Sequence, residues 1–182
     1  MREHMGVLHS IGVRGVEVRT KSELSQVQGL ILPGGESTTI AKLARIFELF
    51  DPMRDAIRSG LPVFGTCAGL ILLADAISDG AQGQETLGGL DALVRRNAFG
   101  SQTDSFEIEL RFKGIPDPPV AAAFIRAPII ESVGSGVEVL SQLADDRIVA
   151  IRQGNLLGIS FHPEITGETR VHEFFVREIV GA

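Results

Sequence analysis

The feature that most constrains this chain is Gly65-Thr66-Cys67-Ala68-Gly69, a lone cysteine with a glycine two residues away on each side. Pro62-Val63-Phe64 before it has the length and bulk of a buried strand, and Leu70-Ile71-Leu72-Leu73-Ala74 after it has the density of a helix that packs inward. The spacing is that of a nucleophile elbow, whose sharp strand-to-helix turn tolerates no bulky side chain on either flank. Such a turn lifts the sulfur above the sheet and sets it at a helix N-terminus, where unpaired N–H groups and the helix dipole favour the thiolate. The competing reading, a buried structural cysteine, stays open until partners for the sulfur are found.

A second strand-loop-helix unit precedes the elbow. Gly29-Leu30-Ile31-Leu32 runs as an apolar strand into Pro33-Gly34-Gly35-Glu36-Ser37-Thr38-Thr39, after which Ile40, Leu43, Ala44 and Phe47 recur at helical spacing. This alternation through residue 77 predicts an α/β fold with a mostly parallel sheet and helices on its faces. Residues 1–8 read as the tail of a helix ended near Gly12, and Gly15-Val16-Glu17-Val18-Arg19 as a short strand. Strands are also predicted at 106–110 and 120–125, with Pro116-Asp117-Pro118-Pro119 as a surface loop between them. Near the C-terminus, 148–151 and 156–161 flank Gly154-Asn155 as an antiparallel hairpin. A last helix, about 169–180, carries Val171, Phe174, Phe175 and Ile179 on one face.

Partners for Cys67 come from Phe161-His162-Pro163-Glu164, directly after an apolar strand. Strand ends of a parallel sheet meet at one edge, so His162 can take the proton from Cys67 while Glu164 orients the imidazole and stabilises its charged form. Taken alone, this segment reads more readily as a loop histidine near an unrelated surface glutamate; combined with the elbow, the catalytic reading prevails. His4, His9 and His172 fall on helices or a helix exit and are read as partly exposed. Acyl transfer also needs oxyanion donors, and the N–H groups of Ala68 and Gly35 are the candidates. With one cysteine and no His-x3-His spacing, no metal site is expected.

The 182 residues fit one domain with one sizeable core. A net charge of −6 with neither Trp nor Tyr argues against a nucleic-acid surface, and no apolar run reaches membrane length. A single cysteine fits a reducing cytoplasm.

These blocks, with Arg96-Asn97-Ala98-Phe99-Gly100 and Phe124-Ile125-Arg126-Ala127-Pro128, resemble the class I glutamine amidotransferases, and specifically the glutaminase-subunit family of pyridoxal phosphate synthase (PdxT/SNO). The resemblance covers almost the whole chain. It implies a flavodoxin-like three-layer sandwich in which Cys67 attacks the side-chain amide of L-glutamine, His162 protonates the departing ammonia, and Glu164 supports His162. It further implies that Gly35, Glu36, Ser37, Arg96, Ile125 and Arg126 hold the substrate. No cofactor is implied, and the ammonia passes to a barrel-shaped synthase subunit in a hetero-oligomeric complex. Another cysteine hydrolase on this fold, such as a γ-glutamyl hydrolase or peptidase, and a non-catalytic binding subunit are the alternatives. Two departures stand out. Ser101 occupies a position where the family carries arginine, and Met1 aligns just beyond the family's first strand with its Leu-Gln-Gly ending. The natural protein is therefore expected to begin upstream of Met1, and residues 1–182 to be a single glutaminase domain lacking its first strand.

Overall fold

The structure, a computed structural model, describes residues 1–80, 83–96 and 105–182. The chain opens with α1 (Arg2–Ser10), stopped by Gly12 in a left-handed conformation (φ 77°). A single turn, α2 (Lys21–Leu24), follows, its N-terminus closed by a reciprocal Thr20–Glu23 capping box. Then come β1 (Leu30–Leu32), α3 (Ser37–Ile46), α4 (Phe50–Arg58), β2 (Val63–Thr66) and α5 (Ala68–Leu73). The rest comprises β3 (Ala74–Ile77), β4 (Leu90–Arg95), β5 (Ser105–Leu110), β6 (Val120–Ile125), β7 (Ile129–Val133), β8 (Glu138–Gln142), β9 (Ile148–Gln153) and β10 (Leu156–Ile159). After β10 stand α6 (Pro163–Thr166) and α7 (Arg170–Phe174), the latter continuing as a π-helical stretch over Phe175–Val180.

The main sheet runs β1-β2-β10-β9-β7-β4-β3, with β8 paired to β9. Pairing is parallel in β1–β2–β10 and in β3–β4, and antiparallel elsewhere, so the sheet is mixed rather than mostly parallel. Part of the physical reason is connection length: the short links between β8 and β9 and between β9 and β10 can join only antiparallel neighbours. The expected C-terminal hairpin is β9–β10.

Alternation along each strand feeds two apolar clusters. On one face Leu30, Leu32, Val63 and Leu156 pack with Leu24, Ala41, Ala44, Phe50, Met53 and Leu70, Ile71, Leu72 and Leu73 of α5. On the other, Phe64, Leu157 and Ile159 pack with Val171, Phe175 and Ile179, with the separate β5–β6 ribbon adding Val120, Ala122 and Phe124. Helices therefore cover both faces, giving the three layers expected.

Two details differ from the sequence reading. Residues 15–19 form no strand, because alternation makes a strand only beside a partner; Val16 stays exposed, and β1 keeps an open edge among the described residues. In α3 the buried positions are Ser37, Ala41 and Ala44, whereas Leu43, and Phe47 just after the helix, face solvent. Small residues let α3 lie close to α5.

Candidate active site

Thr66 of β2 and Ile159 of β10 are parallel partners, and Cys67 extends the ladder by donating its N–H to the Ile159 carbonyl at 2.8 Å. Cys67 then turns sharply, at φ 51° and ψ −101°, a conformation a non-glycine residue holds only at a cost of about 1–3 kcal/mol. The flanking glycines make the turn possible. A Cβ on Gly69 would sit 2.1 Å from the Leu32 carbonyl oxygen, and one on Gly65 would sit 2.5 Å from the Gly69 backbone. Strand, turn and helix thus interlock without side chains, and Ala68 begins α5 with its N–H among the unpaired first-turn donors.

His162 leaves β10 on the same edge, fixed by its N–H donating to the Ala123 carbonyl at 2.8 Å. Its ring hydrogen-bonds Cys67 on one side and places Nδ1 2.8 Å from Glu164 Oε1 on the other. Gly34 lies against the ring so closely that a Cβ there would be 2.3 Å from Cε1. Burial pulls the imidazole pKa down, but hydrogen bonds to Cys67 and Glu164 outweigh it and raise the value to about 9. Burial pushes Glu164 up, and the hydrogen bonds from His162 and His4 outweigh that, holding its carboxyl well below the usual range. His162 is therefore an imidazolium at neutral pH, the counter-ion that a thiolate nucleophile needs.

The loop after β1 supplies a second cluster. Glu36 caps α3, accepting from the Thr38 N–H at 3.2 Å and the Thr39 N–H at 2.7 Å, and pairs with Arg96 Nη2 at 2.9 Å. Arg96 Nη1 also donates to Gln84 Oε1 at 2.7 Å, and Gln84 Nε2 donates to the buried Ser37 hydroxyl at 3.0 Å. Desolvation raises Glu36, but the Thr39 and Thr38 hydrogen bonds together prevail and lower it to about 2. Gly35, at φ 145°, carries the chain into this cap. Beside His162, Glu164, Pro33 and Gly34 opens a cavity of about 360 Å³. A larger cleft of about 540 Å³ along residues 111–120 holds none of the candidate residues.

A family model described as the SNO glutamine amidotransferase family matches residues 1–181. The chain belongs to the SNO glutamine amidotransferase family. It is 57% identical over 180 residues to a pyridoxal 5'-phosphate synthase subunit PdxT of a Nocardioides species, covering 97% of this chain and 89% of that protein. To the PdxT subunit of Leifsonia xyli it is 55% identical, covering 100% and 91%. A crystal structure of a glutamine amidotransferase superposes with a TM-score of 0.92 at 46% identity, over 100% of this chain and 94% of that one. As a glutamine amidotransferase, the chain is a glutaminase, an amide hydrolase, and the readings as another cysteine hydrolase or a non-catalytic subunit fall away.

For this family member the structure brings Cys67, His162 and Glu164 together, and separately gathers Glu36, Ser37 and Arg96. Ile125 ends β6, just beyond the Ala123 that pairs with His162, and Arg126 follows it, exposed at φ 45°. Asn97 to Gly100 and Ser101 lie outside the described residues. His4 and His172, read as partly exposed, are buried at 2% and 0% exposure. A signal for this was available: His4 shares a helical stripe with Val7, Leu8 and Ile11, and His172 with Phe175, Val176 and Ile179. Gln84 and Thr38 were missed as members of the Arg96 cluster, because they lie in a loop and a helix turn without apolar pattern.

Proposed function

We propose that Cys67, His162 and Glu164 carry the glutaminase reaction of this chain, and that the ammonia released serves pyridoxal 5'-phosphate synthesis. The observation that supports the residue assignment is the strained cysteine at the head of α5, hydrogen-bonded to an imidazolium that a buried carboxylate holds from behind. The Cys67 thiolate attacks the side-chain amide carbon of glutamine. The N–H groups of Ala68 and Gly35 stabilise the oxyanion that forms. As the C–N bond breaks, His162 gives its proton to the leaving nitrogen, which departs as ammonia and leaves a thioester on Sγ. His162, now neutral, removes a proton from water, whose oxygen attacks the thioester and releases glutamate and the cysteine.

Arg96 is the cation for the substrate α-carboxylate, a charge-assisted contact, with Glu36 set to take the α-ammonium. Gly35, Ser37, Ile125 and Arg126 complete the substrate contacts. The partner is a synthase subunit that consumes the ammonia, a barrel in a hetero-oligomeric complex, and the reaction itself calls for no cofactor. Among the described residues no helix is long and apolar enough to cross a membrane. A catalytic thiol that must stay reduced suits the cytoplasm.

The test is ammonia release from free glutamine, with and without synthase subunit, by this chain and by Cys67→Ala. Turnover that rises with the partner and vanishes in Cys67→Ala is the expected result, with the variant's melting curve unchanged. Retained turnover in Cys67→Ala would overturn the assignment.

A further inference from the structure

His4 and His172 take no part in the steps above, yet both are sealed from solvent. They come from opposite ends of the chain and meet with His4 Nδ1 2.9 Å from His172 Nε2. The other nitrogen of His4, Nε2, lies 3.3 Å from Glu164 Oε1 and 3.4 Å from the hydroxyl of Thr66, the residue before Cys67. Glu164 Oε1 thus faces two imidazoles, those of His162 and His4. Among the described residues, these two imidazoles face Glu164 directly; His172 stands behind His4 within reach of the Glu164 charge, Cys67 stands beyond His162, and Glu3 lies on the rim of the neighbouring cavity.

The proton count allows one economical arrangement. An ionised carboxylate only accepts, so each facing ring nitrogen carries a proton: Nδ1 of His162 and Nε2 of His4. A neutral His4 protonated at Nε2 must accept at Nδ1, so His172 donates to it from Nε2. His172 is then left with a bare Nδ1, which is the ring nitrogen that lacks a partner among the described residues. The opposite arrangement, a charged His4 donating to His172, would strand an N–H at that position. His172 stands edge-on to the Phe64 ring at 5.3 Å, a surface that accepts no proton. Burial above all lowers the His172 pKa to about 4, so it is neutral. Every hydrogen bond in the row then points toward Glu164.

We propose that His4 is a positioning residue of the active site: its Nε2–H, with the tautomer set by His172, pins the Glu164 carboxylate so that Oε1 is presented to His162. This rests on the reading of Cys67, His162 and Glu164 as the catalytic groups. It makes the first turn of α1 and the middle of α7 supports of the chemistry, although neither touches the reacting atoms.

Cys67 is the single cysteine of the chain, so its alkylation by iodoacetamide reports the thiolate without needing turnover. The rate is measured from pH 5 to 9 on the full chain, His162→Asn, His4→Leu, His4→Gln and His172→Phe, each at a temperature where circular dichroism shows it folded. At pH 6.5, His162→Asn is expected to slow alkylation at least tenfold. His4→Leu should slow it about fivefold to tenfold and move the pH of half-maximal rate upward. His4→Gln, which keeps an N–H aimed at Glu164, should return to within about threefold of the parent, and His172→Phe should fall between. If His162→Asn slows the reaction while His4→Leu and His172→Phe do not, the positioning role is wrong and the catalytic reading stands. If His162→Asn itself has no effect, the catalytic reading fails. Equal slowing by His4→Leu and His4→Gln with an unmoved pH profile would show mere packing and overturn the proposal. Should His4→Leu not fold, His4→Gln and His172→Phe decide it between them, parent-like pH profiles in both being the overturning result.

Discussion

Cys67, His162 and Glu164 are set in the dry ends of β2, β10 and α6, whereas Glu36, Thr38, Gln84 and Arg96 meet on an outer loop where half of the Glu36 side chain is in solvent. In the first group, position comes from the backbone. Cys67 and His162 are each tied by a main-chain N–H to a neighbouring strand, and Gly34, Gly65 and Gly69 leave no room for alternatives. In the second group, position comes from side chains bonding one another in a high-dielectric setting, where an ion pair is worth about 0–1 kcal/mol. On the proposed reading, the chemistry is thus held rigidly, while the substrate-side cations and anions can exchange partners when glutamine arrives.

The contrast breaks most sharply if the backbone side is disturbed. Gly69→Ala puts a methyl group 2.1 Å from the Leu32 carbonyl oxygen, a backbone atom that cannot swing aside, so relief requires moving β1 or the elbow itself. The expected loss is about 3 kcal/mol or more of stability and essentially all turnover. Chemical denaturation with a glutaminase assay checks it; a stable, active Gly69→Ala would mean that the elbow is more compliant than its contacts imply.

A pH series sharpens the comparison within the buried side. His162 is raised from the usual 6.5 to about 9, so it contributes stability that is full below 6.5 and lost as pH rises through 9. His172 is lowered to about 4, so the unfolded chain binds its proton first, and stability falls as pH drops from 6.5 toward 4. Each shift corresponds to about 3 kcal/mol, so melting temperature should peak near pH 6.5 and decline on both sides. His162→Asn should flatten the alkaline side alone, and His172→Phe the acid side between 6.5 and 4. A profile unchanged by both variants would remove these histidines from the titration.

The smallest effect belongs to the exposed cluster. Arg96→Gln loses the guanidinium but leaves the elbow untouched, so KM for glutamine should rise about tenfold, with kcat within about threefold and little change in melting temperature. Steady-state kinetics test this; a kcat collapse with unchanged KM would move Arg96 from binding to the reaction itself.

The proposed catalytic pair was legible from local pattern because its geometry is enforced locally. The Gly-x-Cys-x-Gly turn, the apolar runs of β1, β2 and β10, and the histidine ending the last strand each occupy a few contiguous residues. Their meeting at one edge follows from parallel pairing alone. Strand order, the antiparallel half of the sheet and the missing strand at 15–19 were decided by which segments found partners, which no single segment encodes. The same holds for His4 and His172. Their helical stripes announce burial, but that two ends of the chain, 168 residues apart, close on one carboxylate is a property of the packed layers. Local pattern marked the proposed reacting groups; tertiary packing decided what holds them still.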